Sequence, residues 1–291
     1  MIVNIVEDFI DRVQDLNVAV VGETITDEFI YVSYEGQSMK SICPVLKVAG
    51  RHEVQAGGAA AIANHLKDFV KRVDLYSNHP NDIIKTRYVD VADQKKHVEI
   101  NRFNISDKNE INIKVRDYDV VIVADFGHGF CNNINIDHGF HLMCQTNSNN
   151  FGFNRISKWK NYKKKSVCID LREASLQMNR NAKFTSRDEV AELFNYEMEA
   201  EHLFITLGTQ GSLYYDGNDI CLQQSYKSDI VDTIGAGDTF FSFVALATQA
   251  LGKNDNILVV PSLAASLSTT WLCNERSVTK SSLREYATRF I

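Results

Sequence analysis

The sequence predicts an α/β fold: a doubly wound, mostly parallel sheet with a small antiparallel lid. Short β-branched runs at 18–22, 119–124, 166–169 and 202–207 are bounded by turn residues and read as buried parallel strands. Helical patterns at 58–70, 186–199 and 235–251 make strand and helix alternate. Residues 28–34, 45–49, 84–91 and 97–103 alternate polar with apolar and do not suit a sheet covered on both faces. They are assigned to the lid, drawn from about 28–49 and 84–103, within a single domain spanning 1–291.

The chain has 291 residues, enough for one large core, and is 44% hydrophobic and 23% charged. A formal net charge of -6 argues against a nucleic-acid partner, which usually meets a basic patch. The stretch from Met1 to Asp8 lacks a basic start followed by an apolar run, so no leader is expected. No run reaches the ~18 apolar residues of a membrane span. Six cysteines are scattered without a CxxC pair, which predicts reduced thiols and a cytoplasmic location.

The segment from Asp232 to Phe240, DTIGAGDTF, carries the chemistry. Gly235, Ala236 and Gly237 can turn successive N–H groups toward an anion at a helix start. Asp238 then falls in the first helical turn. A carboxylate beside an anion hole repels a phosphate that merely binds. It makes sense as a base that takes the proton of an attacking hydroxyl while the amides hold the transferring phosphoryl group. The plain structural alternative is a helix cap with small residues for close packing.

This segment resembles the C-terminal signature of the ribokinase-like (PfkB) carbohydrate kinases. Three further segments are similar to family motifs in the same order: 20–27 (VVGETITD), 57–64 (GGAAAIAN) and 206–211 (TLGTQG). Within the family the nearest likeness is the heptose-phosphate kinase group, on 22–31, 42–48, Lys85-Thr-Arg87 and Asp125-Phe-Gly-His-Gly129. The resemblance implies a Rossmann-like domain with a β lid that often forms a dimer interface. It implies ATP and Mg²⁺ as cofactors, K⁺ near Asp232, and a sugar or sugar phosphate as substrate.

Carried over residue by residue, the resemblance assigns Asp27, Gly57, Gly58 and Asn64 to the sugar. It assigns Thr206, Gly208, Gly211 and Thr233 to ATP. Asp27 follows a buried strand, at the carboxyl edge where open α/β sheets bind ligands; a solvated loop acid is the alternative. Asn64 competes with an ordinary surface amide. Asp170 and Glu173 stand where the family has Asn-x-x-Glu, and two carboxylates three apart could hold a water-rich Mg²⁺. Helix N-terminal acids give the same pattern. Lys85 and Arg87 are candidates for an anionic substrate group.

Other features are read as structural. The Asp125-Phe-Gly127 tripeptide lacks the companion motifs of a protein kinase. His138 and His141 lack further ligands for a metal site. Lys163-Lys164-Lys165 reads as a solvated face.

The sequence also departs from the family. Ala61 replaces a common Asn, 78–84 is short, and the Asp-Pro-Lys of heptose-type kinases is absent around 146–148. Heptose-type kinases can carry a fused nucleotidyltransferase domain, and none is expected within these 291 residues. These losses lie on the substrate side, while the phosphoryl-transfer motif is intact. The expected activity is therefore sugar phosphorylation on an altered substrate. The alternatives are a non-catalytic sugar- or nucleotide-binding regulator and a nucleoside kinase. A homodimer through the lid is also expected.

Overall fold

The computed structural model describes all residues except 105–110, 114–116, 138, 146–153, 182, 184–185, 196–199, 255 and 291. His138 and the segment 146–148 therefore lie outside the described residues.

The chain opens with α1 (Ile2–Val13), β1 (Asn17–Gly22), β2 (Thr24–Gln37), β3 (Pro44–Gly58), α2 (Ala59–Leu66), β4 (Arg72–Ser77), β5 (Ile83–Asp90) and β6 (Lys96–Phe103). The middle holds β7 (Ile111–Ile113), β8 (Val120–Asp125), β9 (Ile134–Ile136), β10 (Phe140–Cys144), β11 (Lys164–Asp170), α3 (Leu171–Gln177) and α4 (Arg187–Asn195). The last part is β12 (Ala200–Thr206), β13 (Ser212–Tyr215), β14 (Ile220–Gln223), α5 (Ala236–Leu251), α6 (Val259–Ser268) and α7 (Lys280–Ala287).

The main sheet has eight strands in the order β14-β13-β12-β11-β10-β8-β1-β4. It is parallel from β4 to β12, and β13 and β14 add an antiparallel edge. Alternation along each strand splits its side chains between two cores. Val18, Val20, Ile122 and Phe204 pack with residues of α1, α2, α5, α6 and α7. Val21, Val123, Val167 and Leu203 pack on the other face with Ala174 of α3 and Val190 of α4. Both faces are covered, which explains the continuous apolar runs in the sequence.

The lid is a separate four-stranded sheet in the order β3-β2-β5-β6. All four of its predicted strands are present, but it is mixed rather than antiparallel. β2 runs parallel to β5, with Asp27 opposite Lys85, while β3 and β6 flank them antiparallel. The cause is topological. β2 continues almost directly from β1, and β5 follows β4. Because β1 and β4 are parallel neighbours, their extensions run parallel too.

One further expectation is corrected. Lys164 is 1% exposed, and its Nζ donates to the carbonyls of Trp159 at 3.0 Å and Tyr162 at 3.1 Å. Strand alternation turns the middle lysine of the run inward. Backbone carbonyls satisfy its ammonium there.

Candidate functional site

The site lies where the carboxyl ends of β11 and β12 meet the start of α5 and the base of the lid. Helix α5 begins at Gly235, whose φ of 84° is left-handed. A side chain there would also collide with the Asn274 amide, its Cβ only 2.5 Å from Oδ1. Asp238 therefore sits in the first turn, one residue after Gly237. Beyond that turn, residues Thr239 to Thr248 are buried, so the packed body of α5 anchors the turn.

Two cavities meet at this helix start. The larger, about 1180 Å³, is bordered by all four residues assigned to the nucleotide: Thr206, Gly208, Gly211 and Thr233. Gly208 and Gly211 form the turn between β12 and β13, closed by Gly211 N–H to Gly208 O at 3.0 Å. Both have positive φ, and a Cβ on Gly211 would overlap the carbonyl of Gln223. The smaller cavity, about 110 Å³, is bordered by Asp170, Glu173, Thr206, Gly237, Asp238 and Phe126, among others. Asp170, Thr206 and Gly237 thus wall both spaces.

Asp170 and Glu173 are brought to Asp238, and they also serve their own helix. The Asp170 carboxylate accepts from Glu173 N–H at 2.6 Å, and the Glu173 carboxylate accepts from Asp170 N–H at 2.8 Å. This capping box starts α3. Both the metal reading and the helix-acid reading of the sequence therefore have a basis in the geometry. The carboxylates bordering the small cavity offer hard oxygens, the type Mg²⁺ takes, beside the sulfur-bearing Met143 and Cys168.

The Asp238 carboxyl is pushed up to about 7, mainly by desolvation, with the Asp27 charge adding and the Lys85 charge opposing. Asp27 is 4% exposed and accepts from Arg87 Nη1 at 2.5 Å. Arg87 also donates through Nε to Glu99 at 2.9 Å. Its guanidinium is thus engaged by two carboxylates of the lid. Lys85 lies beside it; burial lowers its pKa while Glu99, Asp27 and Asp238 oppose that shift.

Gly57 and Gly58 lie at the base of the lid, beside Asp27 and Glu23. A Cβ on Gly57 would overlap Asp27 Oδ2, and one on Gly58 would overlap the carbonyl of Glu23. Gly58 has φ 60° and directly precedes α2. Asn64, six residues further, accepts from Lys67 Nζ at 2.7 Å on the exposed side of α2. It borders neither of the two cavities described.

Sequence reasoning missed three supporting groups. Asn274 lies against both Gly57 and Gly235, and its N–H donates to Gln55 Oε1 at 2.9 Å. His65 accepts from Val278 N–H through Nδ1 at 3.0 Å, and its Nε2 meets Thr239 Oγ1 at 3.0 Å. Burial lowers its pKa to about 4, so the ring is neutral. Glu23, completely buried, accepts from the N–H groups of Phe126, His128 and Phe130 and shapes the 126–130 loop. Asp125, the last residue of β8, accepts from Trp159 Nε1 at 2.8 Å and pairs with Lys158 Nζ at 2.6 Å. His141 is buried in β10 against Ser166, again as a neutral ring with its pKa down to about 3.

The fold is similar to that of the ribokinases, and the C-terminal part matches a carbohydrate kinase family. The model for the pfkB family carbohydrate kinases matches residues 165–270. Over 271 residues it is 22% identical to the bifunctional protein HldE of Helicobacter pylori (strain J99), covering 79% of this chain and 58% of that one. The chain thus spans little more than half of that relative. Among solved structures, ribokinase from Thermotoga maritima is similar with a TM-score of 0.68 at 16% identity, covering 94% of this chain and 99% of that one. Arabidopsis thaliana ribokinase, solved with ribose and ATP, gives 0.66 at 16%, with the same two coverages.

Proposed function

We propose that this chain transfers the γ-phosphoryl group of ATP to a hydroxyl of a sugar or sugar phosphate. The observation that carries this reading is the placement of Asp238. It is a carboxyl with its pKa raised to about 7, at the helix start where a nucleotide-sized cavity opens onto a smaller one. In this reading ATP fills the larger cavity and its γ-phosphoryl group reaches the N–H groups of Gly235 and Gly237, while that of Ala236 donates to Thr233 O at 3.3 Å. The helix dipole adds to their pull on negative charge. Asp238 takes the proton of the sugar hydroxyl as the oxygen attacks phosphorus.

Asp27 would orient the sugar. Arg87 occupies Oδ1, while Gly57 puts no side chain of its own against Oδ2. Lys85, with no ion pair among the described residues, is better placed than Arg87 to meet an anionic group on the substrate. The preference for an anionic sugar therefore moves from Arg87 to Lys85. Asp170 and Glu173 would hold Mg²⁺ through oxygens and intervening water. When bound, the ion would neutralise charge on the phosphates. The lid would exclude water from the cleft. No helix among the described residues is long and apolar enough to cross a membrane.

The test is ADP release across a panel of sugars, sugar phosphates and nucleosides. Sugar-dependent release supports the proposal. Release with nucleosides alone would make the chain a nucleoside kinase. Nucleotide binding without release on any acceptor would make it a non-catalytic binding protein.

A further inference from the structure

The resemblance leads one to expect K⁺ beside Asp232, and the donor set there does not fit a free cation. Lys96, in strand β6 of the lid, places Nζ 2.7 Å from Asp232 Oδ2. The other oxygen, Oδ1, accepts the N–H of Ile234 at 3.2 Å. Both oxygens of this carboxylate therefore have partners, and one partner is already a monovalent cation. The Asp232 side chain is 8% exposed and that of Lys96 27%.

We infer that the Lys96 ammonium, delivered by the lid, replaces K⁺ as the counter-charge of Asp232 and makes this site independent of monovalent cations. Asp232 stands three residues before Gly235, where α5 begins. Its Oδ1 bond to Ile234 N–H shapes that approach, and its N–H donates to Thr269 O at 3.2 Å. An uncompensated carboxylate there would repel phosphate entering the adjacent anion hole. A tethered ammonium cancels that charge without drawing an ion from solution. It also ties β6 to the loop before α5, so the lid contributes to the nucleotide side as well as to the sugar side. A Lys is a point charge on a flexible stem, which suits the replacement of a spherical ion.

The consequence for nucleotide binding rests on the proposed kinase reading, and the counter-charge itself does not. Two measurements separate them. In the first, the ligand-free protein is thermally unfolded in KCl and in N-methyl-D-glucamine chloride at equal ionic strength. The wild type should unfold at the same temperature in both salts. Lys96→Met should unfold at least about 2 °C lower. Adding Asp232→Asn to Lys96→Met should bring no further loss, because the two residues act as a pair. In the second, a non-hydrolysable ATP analogue is titrated into the wild type in each salt. Its Kd should agree within about twofold, a difference of ~0.4 kcal/mol. Stabilisation of the ligand-free wild type by K⁺, or a Kd at least about fivefold tighter in K⁺, overturns the inference. Failure of the analogue to bind in either salt would count against the kinase reading, and the unfolding comparison would still decide this one.

Discussion

Arg87 reaches from the inner lid strand β5 to its neighbour β2 and holds Asp27, Nη1 to Oδ1 at 2.5 Å, with both side chains under a tenth exposed. The Phe29 ring lies 5.7 Å from the same guanidinium. Removing one member of such a pair leaves a buried charge without compensation. Arg87→Ala should therefore lower the unfolding free energy by about 3 kcal/mol in a denaturant titration. A loss below about 1 kcal/mol would mean that the pair is not structural.

Asp238 links pH to both rate and stability. Its folded value of about 7 stands above the ordinary 3.8, so between these values the folded chain holds a proton that the unfolded chain has released. Stability from this group is full below the lower value and is lost as pH rises through the upper one. Asp238→Asn lacks this loss. It should be more stable than the wild type at pH 8, with the difference shrinking as pH falls toward 4. Neutral His65 changes wild type and variant alike and cancels in the comparison. The rate runs the other way, because the base must be ionised. The kcat/KM of the wild type should rise through a midpoint near pH 7. A stability difference that does not change with pH would contradict the assignment.

Gly57 keeps space beside Asp27 Oδ2 and the Asn274 amide. Gly57→Ala must displace one of them. KM for the sugar should rise at least about tenfold, roughly 1.4 kcal/mol, while ATP-analogue affinity stays the same. An equal loss on both ligands would place the glycine in the general packing of the site.

Strand β3 forms one edge of the lid and exposes Val45, Val48 and Val54. Long apolar edges are usually protected by pairing. Sedimentation should show a homodimer that dissociates on dilution. Val48→Lys should weaken it, and a monomer at all concentrations would contradict this assembly.

Much of this architecture is legible in the sequence where the signal is contiguous. The run from Asp232 to Phe240 contains its own turn, anion hole and helix start, and Thr206 to Gly211 contains a complete hairpin turn. The strands between helices are legible because burial on both faces removes polar residues from them. What stays hidden comes from pairings between distant segments. Asn274 meets a residue 219 positions away, and Thr239 meets His65 174 positions away. Arg87 reads as an exposed, substrate-facing cation until β2 and β5 are seen to lie side by side. Lys164 looks solvated for the same reason: a charge run gives no sign of the carbonyls that receive its middle member. The mixed lid depends on the order of β1 and β4, which local pattern does not encode.

The central claim is that Asp238 is the base in phosphoryl transfer. It is tested most directly by comparing Asp238→Asn with the wild type on the acceptor that gives the fastest ADP release. Asn keeps the size and shape of the side chain and removes the proton acceptor. Turnover should fall by roughly 10²–10⁴, with ATP-analogue affinity within about threefold of the wild type. Turnover by Asp238→Asn close to that of the wild type would contradict the account.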